Sequence, residues 1–269
     1  MDARALVEPS FQAYLSYCVG FCIRYFAFAG GLYWLLHVRF KRRWAAYRVQ
    51  EEFPGRAEIR HEITWSMANT ACTGLATILT YQLIREGRTS MYFGLGERGG
   101  LYLVLSAALA VLGYDTWNYW QHRLLHTPWW FRHVHWVHHR VGNPTAFATF
   151  AQHPVETFMG NAFFILFVVL VPIHPLALAA AGAYLFAYGT LCHLGYEFFP
   201  RWVPRHALFG LFNNATYHNI HHRTARCNYG GWFIYWDRIM GTGDPGYYDA
   251  FDAVATRRTA VPAAAPAIR

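Results

Sequence analysis

Three groups of histidines have the spacing of metal ligands. His122 and His126 are four positions apart, and two further segments repeat the pattern His-x-x-His-His. These two segments hold His135, His138, His139, His218, His221 and His222. On a helix, residues three or four positions apart share one face, with Cβ atoms about 5–6 Å apart, and neutral imidazole is a good ligand for Zn, Fe, Cu and Ni. The spacing therefore predicts bound transition metals. A solvated histidine-rich surface is the alternative, which the repeated pattern disfavours.

Two carboxylates near these groups could support them. Asp115 precedes His122 by two helical turns, and it is expected either to accept a hydrogen bond from an imidazole or to bind water at the membrane boundary. Asp237 is expected to accept from a histidine of the groups or from Arg238. All cysteines are expected to be structural. Of the histidines outside the three groups, His153 and His193 are considered below, and the others are expected to be structural. These others are His37, His61, His133, His174 and His206.

The elements that must position the histidines are predicted to be membrane helices. Apolar residues make up 55% of the chain and charged residues only 14%, whereas soluble domains have about 25% charged residues. Five apolar stretches approach the roughly 20 residues that cross a bilayer, and they cover 11–38, 63–84, 101–121, 157–171 and 175–192. Pro172 and Pro175 predict a tight turn between the last two stretches. We therefore expect an all-α, polytopic helical bundle with four or five spans, the last two forming a hairpin.

The basic residues predict how this bundle is oriented. The chain carries a formal net charge of +8. Most of its arginines lie in 39–62, 122–156 and 193–269, which alternate spans place on one side of the membrane. The positive-inside rule makes that side cytoplasmic. All three histidine groups fall on it, so a cytosolic, histidine-rich helical cap is expected. Because membrane topology explains the arginines, a nucleic-acid partner is not expected.

The chain divides into three predicted regions. Residues 1–100 are expected to hold N-terminal membrane spans, and the first apolar stretch is too long for a cleaved signal peptide. Residues 101–252 are expected to form the catalytic region with the histidine groups. Residues 253–269, rich in Ala and Pro, are expected to be a disordered tail.

These motifs, in this order, resemble the fatty acid hydroxylase/sterol desaturase superfamily of integral membrane enzymes. The resemblance covers about residues 101–245. It rests on Tyr119-Trp120 before His122-x-x-x-His126, His135-x-x-His138-His139, Asn143-Pro144, His153-Pro154-x-Glu156, His218-x-x-His221-His222, Asn228-Tyr229-Gly230 and the segment from Trp236 to Thr242. It implies a helical membrane fold whose cytosolic cap holds two iron ions, with O2 as co-substrate.

The resemblance also implies a ligand set. The eight histidines of the three groups would be catalytic metal ligands, and His193 and His153 would be further ligands. Some relatives carry His-x-x-x-His near His193, where this sequence has Glu197 in place of the second histidine. Either Glu197 or His153 is therefore expected to complete the set.

The implied activity is O2-dependent hydroxylation or desaturation of a lipid C–H bond, in a fatty acyl or sterol-like substrate. The lipid would enter from the bilayer, and electrons would come from a separate cytochrome b5-like protein, ferredoxin or reductase. The expected location is the bacterial inner membrane, or the endoplasmic reticulum of a eukaryote. The alternative is a histidine-rich membrane protein that binds or transports metal.

Overall fold

The computed structural model describes residues 3–260, and the long regular elements in that range are all α-helices. The eight main helices are α1 (Ala3–Tyr25), α2 (Arg56–Arg85), α3 (Gly99–Leu125), α4 (Pro154–Leu170), α5 (Pro175–Cys192), α6 (Ala215–Thr224), α7 (Tyr235–Met240) and α8 (Tyr247–Ala260). Helix α1 continues without a break through π-helical and α-helical turns to Arg39. Short 3-10 turns lie at Ala45–Tyr47, Ala148–Phe150, Val203–Arg205 and Phe209–Leu211. The predicted all-α fold is confirmed.

Three helices are long and apolar enough to cross a membrane. They are Ser10–Arg39, Gly99–Leu125 and Pro175–Cys192. The stretch 157–171 lies in α4, which has 17 residues and is shorter than these spans. The stretch 63–84 lies within the 30 residues of α2. Helix α2 is less apolar because it carries a polar face, including Ser66, Asn69 and Thr70, which is buried inside the bundle.

The five long helices α1 to α5 pack in a chain of neighbours. Helix α1 lies along α2, α4 lies against both α2 and α3, and α5 packs against α3. The contact between α1 and α2 is close at Gly74, where a Cβ atom would lie 2.7 Å from the ring of Tyr14. A larger residue at that position would push these two helices apart.

The predicted turn between the last two apolar stretches is confirmed. Helix α4 ends at Leu170 and α5 begins at Pro175, so four residues connect them. Pro175 occupies the first helical turn, where a missing N–H costs nothing. The side chain of His174 accepts a hydrogen bond from the amide of Leu176 and caps the helix. His174 therefore has a structural role, as expected.

Aromatic side chains join α1 to the cap that follows α3. The Tyr25 hydroxyl donates to the Phe147 carbonyl at 2.9 Å, and the Tyr196 hydroxyl donates to the Leu36 carbonyl at 2.8 Å. These four residues lie in one buried apolar cluster. These two hydrogen bonds and the shared apolar cluster thus fix the cap to the helical bundle.

The expectation of a disordered tail is wrong for residues 253–260. They belong to α8, which packs against α6. Phe251, Val254 and Ala255 are buried on the face of α8 that meets the cap, and this burial stabilises the helix. Residues 261–269 lie outside the described residues.

Candidate metal centre

Each histidine group is placed by its own local structure. His122 lies in the last turn of α3, and His126 follows directly after that helix ends. His135 closes a π-helical turn, Phe131–His135, which leads into the short helix Trp136–His139. The third group lies on α6, where the Asn214 side chain caps the first turn by accepting from the Tyr217 amide. The histidine segments are therefore helical at all three positions, as their spacing predicts.

The structure brings nine histidines together as two adjacent groups. In each group the candidate ligand atoms lie within 4.8 Å of one another. Group A consists of His122, His126, His135, His139 and His221. Group B consists of His138, His193, His218 and His222. All nine side chains are buried except that of His126, which is partly exposed. Imidazoles from segments far apart in sequence thus meet at one end of the helical bundle.

Backbone carbonyls fix the orientation of several rings. The Nδ1 atoms of His122, His193 and His221 lie 2.7–2.8 Å from the carbonyl oxygens of Tyr229, Gly189 and Cys227 respectively. A carbonyl can only accept, so each Nδ1 carries the proton and each Nε2 carries a bare lone pair. This arrangement points the metal-binding nitrogen inward, which is how metal-ligating histidines are commonly held.

The inward nitrogens approach one another as they would around a cation. In group B, Nε2 of His193 lies 2.8 Å from Nε2 of His218 and 3.4 Å from Nε2 of His138. In group A, Nε2 of His221 lies 3.0 Å from Nε2 of His139. Facing lone pairs repel, and a bound cation removes the repulsion. Several buried nitrogens here have no hydrogen-bond partner; they are His126 Nδ1, His135 Nε2, His139 Nδ1, His218 Nδ1 and both ring nitrogens of His222. The donor set therefore fits two transition-metal ions.

Burial keeps these rings in the form that binds metal. For the six histidines of the two His-x-x-His-His segments, burial lowers the pKa well below the ordinary value of about 6.5. Repulsion between the rings lowers it further. Burial also lowers the pKa of His193 to about 4. Neutral imidazole has its lone pair free, so no proton competes with a metal at neutral pH.

His153 does not join either group. Its Nδ1 accepts from the Val155 amide at 3.2 Å and caps α4, and its ring stacks on Trp65. Glu197 also lies apart, since its carboxylate accepts from the Phe199 amide and from the amide and hydroxyl of Thr216. Neither side chain completes the histidine set. His153 caps the start of α4, and Glu197 joins the segment after α5 to the first turn of α6.

Asp115 and Asp237 act on a loop rather than on an imidazole. Asp115 accepts from the amides of Trp232 and Phe233. Asp237 accepts from the amides of Tyr229 and Gly230. The expectation that Asp115 accepts from an imidazole is therefore wrong, as are those for Asp237. The two carboxylates instead hold the segment whose carbonyl at Tyr229 orients His122.

One supporting residue has no role in the sequence-based prediction. The Glu156 carboxylate lies 2.9 Å from Nδ1 of His135, and both side chains are almost completely buried. Burial raises the pKa of Glu156 to about 8. The only sequence signal was its place in the motif His153-Pro154-x-Glu156, because the partner His135 lies 21 positions away. Glu156 fixes the ring of His135 as the carbonyls fix the other rings.

Two adjacent cavities lie beside the histidines. The smaller one has a volume of about 60 Å³ and is lined by histidines of both groups. The larger one has a volume of about 600 Å³ and lies among α1, α2, α3, α4 and α5. The residues that line both cavities are Asn118, Gln121, Thr149, Gln152 and Trp232. A cavity of this size within the helical bundle can hold an apolar molecule beside the two histidine groups.

A helical membrane protein with paired histidine groups is the class that this fold and site define. Within that class, the model of the fatty acid hydroxylase family matches residues 107–242, about half of the chain. The chain therefore belongs to the fatty acid hydroxylase/sterol desaturase superfamily. The matched segment contains all nine grouped histidines.

Individual relatives act on several lipids, according to their names. The chain is 28% identical over 185 residues to a Delta(7)-sterol 5(6)-desaturase of Gibberella zeae, covering 69% of this chain and 56% of that one. It is 27% identical over 188 residues to a lathosterol oxidase of Rattus norvegicus, covering 69% and 61%. It is 30% identical over 154 residues to a sphinganine C4-monooxygenase of Arabidopsis thaliana, covering 54% and 56%. The chain thus spans 56–61% of the length of these relatives. No solved structure matches the chain.

Proposed function

We propose that this protein is a membrane-bound oxidoreductase that attacks a C–H bond of a lipid. The proposal rests on one observation: two groups of neutral histidine side chains, almost all of them buried, lie beside a cavity of about 600 Å³ within the helical bundle. The relatives named as desaturase, oxidase and monooxygenase support this class of reaction. Both outcomes, hydroxylation and desaturation, fall within the proposal, for a fatty acyl or sterol-like substrate.

The proposed metals are two iron ions, one held by group A and one by group B. When bound, such a pair would activate the co-substrate O2, which supplies an oxidant that no side chain provides. The five imidazoles of group A and the four of group B would be the protein ligands. His153, although expected as a ligand from the resemblance, is left out of the proposed set because it caps α4.

The protein's own residues would orient the metals and exclude water. Burial of the rings and of Glu156 keeps solvent away from the centre. Thr149 and Trp232, which line both cavities, form the wall between the lipid and the histidines. A lipid would enter from the bilayer, since the larger cavity lies among the apolar helices. Substrate orientation against this wall would select the C–H bond that reacts.

The electron donor and the orientation in the membrane are further parts of the proposal. Oxygen activation consumes electrons, so a separate cytochrome b5-like protein, ferredoxin or reductase is proposed as partner. The positive-inside pattern supports a cytoplasmic position for the histidines, in a bacterial inner membrane or in the endoplasmic reticulum. A metal transporter is less well supported, because the two groups lie together at one end of the bundle rather than along a path through it.

Lipid profiling tests the proposal. The protein would be expressed in a host membrane, and extracted lipids would be compared by mass spectrometry with those of a host carrying the His138→Ala variant, which removes one of the four imidazoles of group B. We expect products that have gained one oxygen atom or lost two hydrogen atoms, and we expect none with the variant. The matched control is His133→Ala, because His133 is exposed and lies outside both groups. Product formation that survives His138→Ala would contradict the assignment of the centre.

A further inference from the structure

Arg24 is a charged residue inside an apolar membrane segment. It is the only Asp, Glu, Lys or Arg between positions 11 and 38, and it lies in the candidate span Ser10–Arg39. Its side chain lines the larger cavity, together with Tyr17, Phe21 and Asn69. Ionisable residues in membrane segments are costly and are retained where they pair with a partner or serve a function. Arg24 therefore needs a partner.

The part of the protein whose side chains the structure describes provides no counter-ion for Arg24. Among side chains of residues 10–260, no ion pair and no hydrogen bond includes this guanidinium. The buried acids are engaged elsewhere: Glu62 accepts from Thr145, and Glu156 contacts His135. An arginine remains charged at every physiological pH. No acidic side chain within residues 10–260 supplies its counter-charge, which leaves the guanidinium available to an anionic ligand.

Arg24 also lies near the middle of the candidate span. It is 14 positions from Ser10 and 15 from Arg39, which at 1.5 Å per residue is roughly 21 Å from either end of the span. Its guanidinium folds back toward Gly20, where one of its nitrogens would lie 3.2 Å from a Cβ atom. The side chain thus points away from the basic end of the bundle, so it does not extend to the cytoplasmic interface.

Two amide side chains that line the same cavity are already paired. The Asn69 amide donates to Gln152 and Thr157, and the Asn161 amide donates to Thr73 and to the Thr157 carbonyl. These bonds join α2 to α4 and explain the polar face of α2. Arg24 is not part of this network. It is left as the charged group that faces the cavity.

We propose that Arg24 binds the anionic head group of an acidic lipid, a carboxylate or a phosphate ester, whose chain occupies the larger cavity. The inference rests on the proposed function in taking that cavity as the substrate site. A guanidinium forms paired hydrogen bonds to both kinds of head group, and a neutral head group would leave its charge uncompensated. Arg24 lies outside residues 107–242, so the family match does not assign it.

Lipid binding, measured without turnover, tests this inference separately from the proposed reaction. The purified protein in an uncharged detergent would be titrated with palmitate and with hexadecanol, and bound lipid would be counted by native mass spectrometry. We expect palmitate to bind about 10- to 100-fold more tightly, the range for one charge-assisted contact. Equal affinities in the unmodified protein would overturn the inference, whatever the oxidation assay shows.

Three variants locate the effect. Arg24→Gln should bring the palmitate preference close to unity, and Arg24→Lys should keep most of it. The matched control Arg39→Gln should leave it unchanged, since Arg39 is exposed at the end of the same span and does not line the cavity. Loss of the preference in the control as well, or its survival in Arg24→Gln, would refute the assignment. Phosphatidylglycerol provides the last comparison: if an equimolar amount removes the Arg24-dependent palmitate binding, the head group belongs to bilayer phospholipid and the substrate assignment is wrong.

Discussion

The two histidine groups differ in size, so they should differ in sensitivity to loss of one ligand. Group A has five imidazoles and group B has four. His221 belongs to group A and His218 to group B, yet both lie on α6 and both are buried. Alanine at either position removes the same ring from the same helix. Any difference in metal retention between His221→Ala and His218→Ala therefore reports the ligand count.

The expected magnitude follows from that count. Four-ligand protein sites bind zinc with about 10–16 kcal/mol, or roughly 3 kcal/mol for each ligand. Loss of one of four ligands in His218→Ala should thus weaken metal binding about 100-fold. His221→Ala leaves four imidazoles in group A, so we expect a loss nearer tenfold, as for a change in the groups that support the ligands.

Metal content per chain during dialysis against increasing chelator measures this difference. Iron, zinc and manganese would be quantified by mass spectrometry of the purified protein, with His133→Ala as the control. We expect His218→Ala to release close to half of the metal at chelator concentrations that His221→Ala tolerates. Identical release curves for the two variants would refute the division into groups of five and four. Release from the control would show that the loss is not specific to the grouped histidines.

Three further predictions follow from the supporting contacts. Glu156→Leu removes the partner of His135 and should weaken metal binding about 10- to 100-fold, with Glu156→Gln retaining more metal. Gly189→Ala places a Cβ atom 3.2 Å from Thr149, which lines both cavities; it should crowd the wall between the cavities and slow product formation more than it lowers metal content. The metal-free protein should lose thermal stability as the pH falls below about 6.5, because the unfolded histidines take up protons that the buried rings, with lowered pKa, do not; an unchanged melting temperature between about pH 8 and pH 5 would contradict this.

Much of the architecture was predictable because its signals are local. The apolar stretches, the prolines around the turn before Pro175 and the histidine spacing all act over a few residues. Hydropathy therefore predicted a helical membrane bundle, and the three- and four-residue spacing predicted shared helical faces. The tail was misjudged for the opposite reason: α8 has little apolar character of its own and depends on burial against α6.

The sequence by itself determined which residue types were available for metal binding, whereas the tertiary structure decided how they are shared. His138 and His139 are neighbours in the chain but belong to different groups. The neighbours His221 and His222 are divided between the two groups in the same way. Adjacent residues on a helix point about 100° apart, so each pair contributes one ring to each metal position. The pairing of Glu156 with His135, like the exclusion of His153, depends on which helices lie side by side, and no local pattern encodes that proximity.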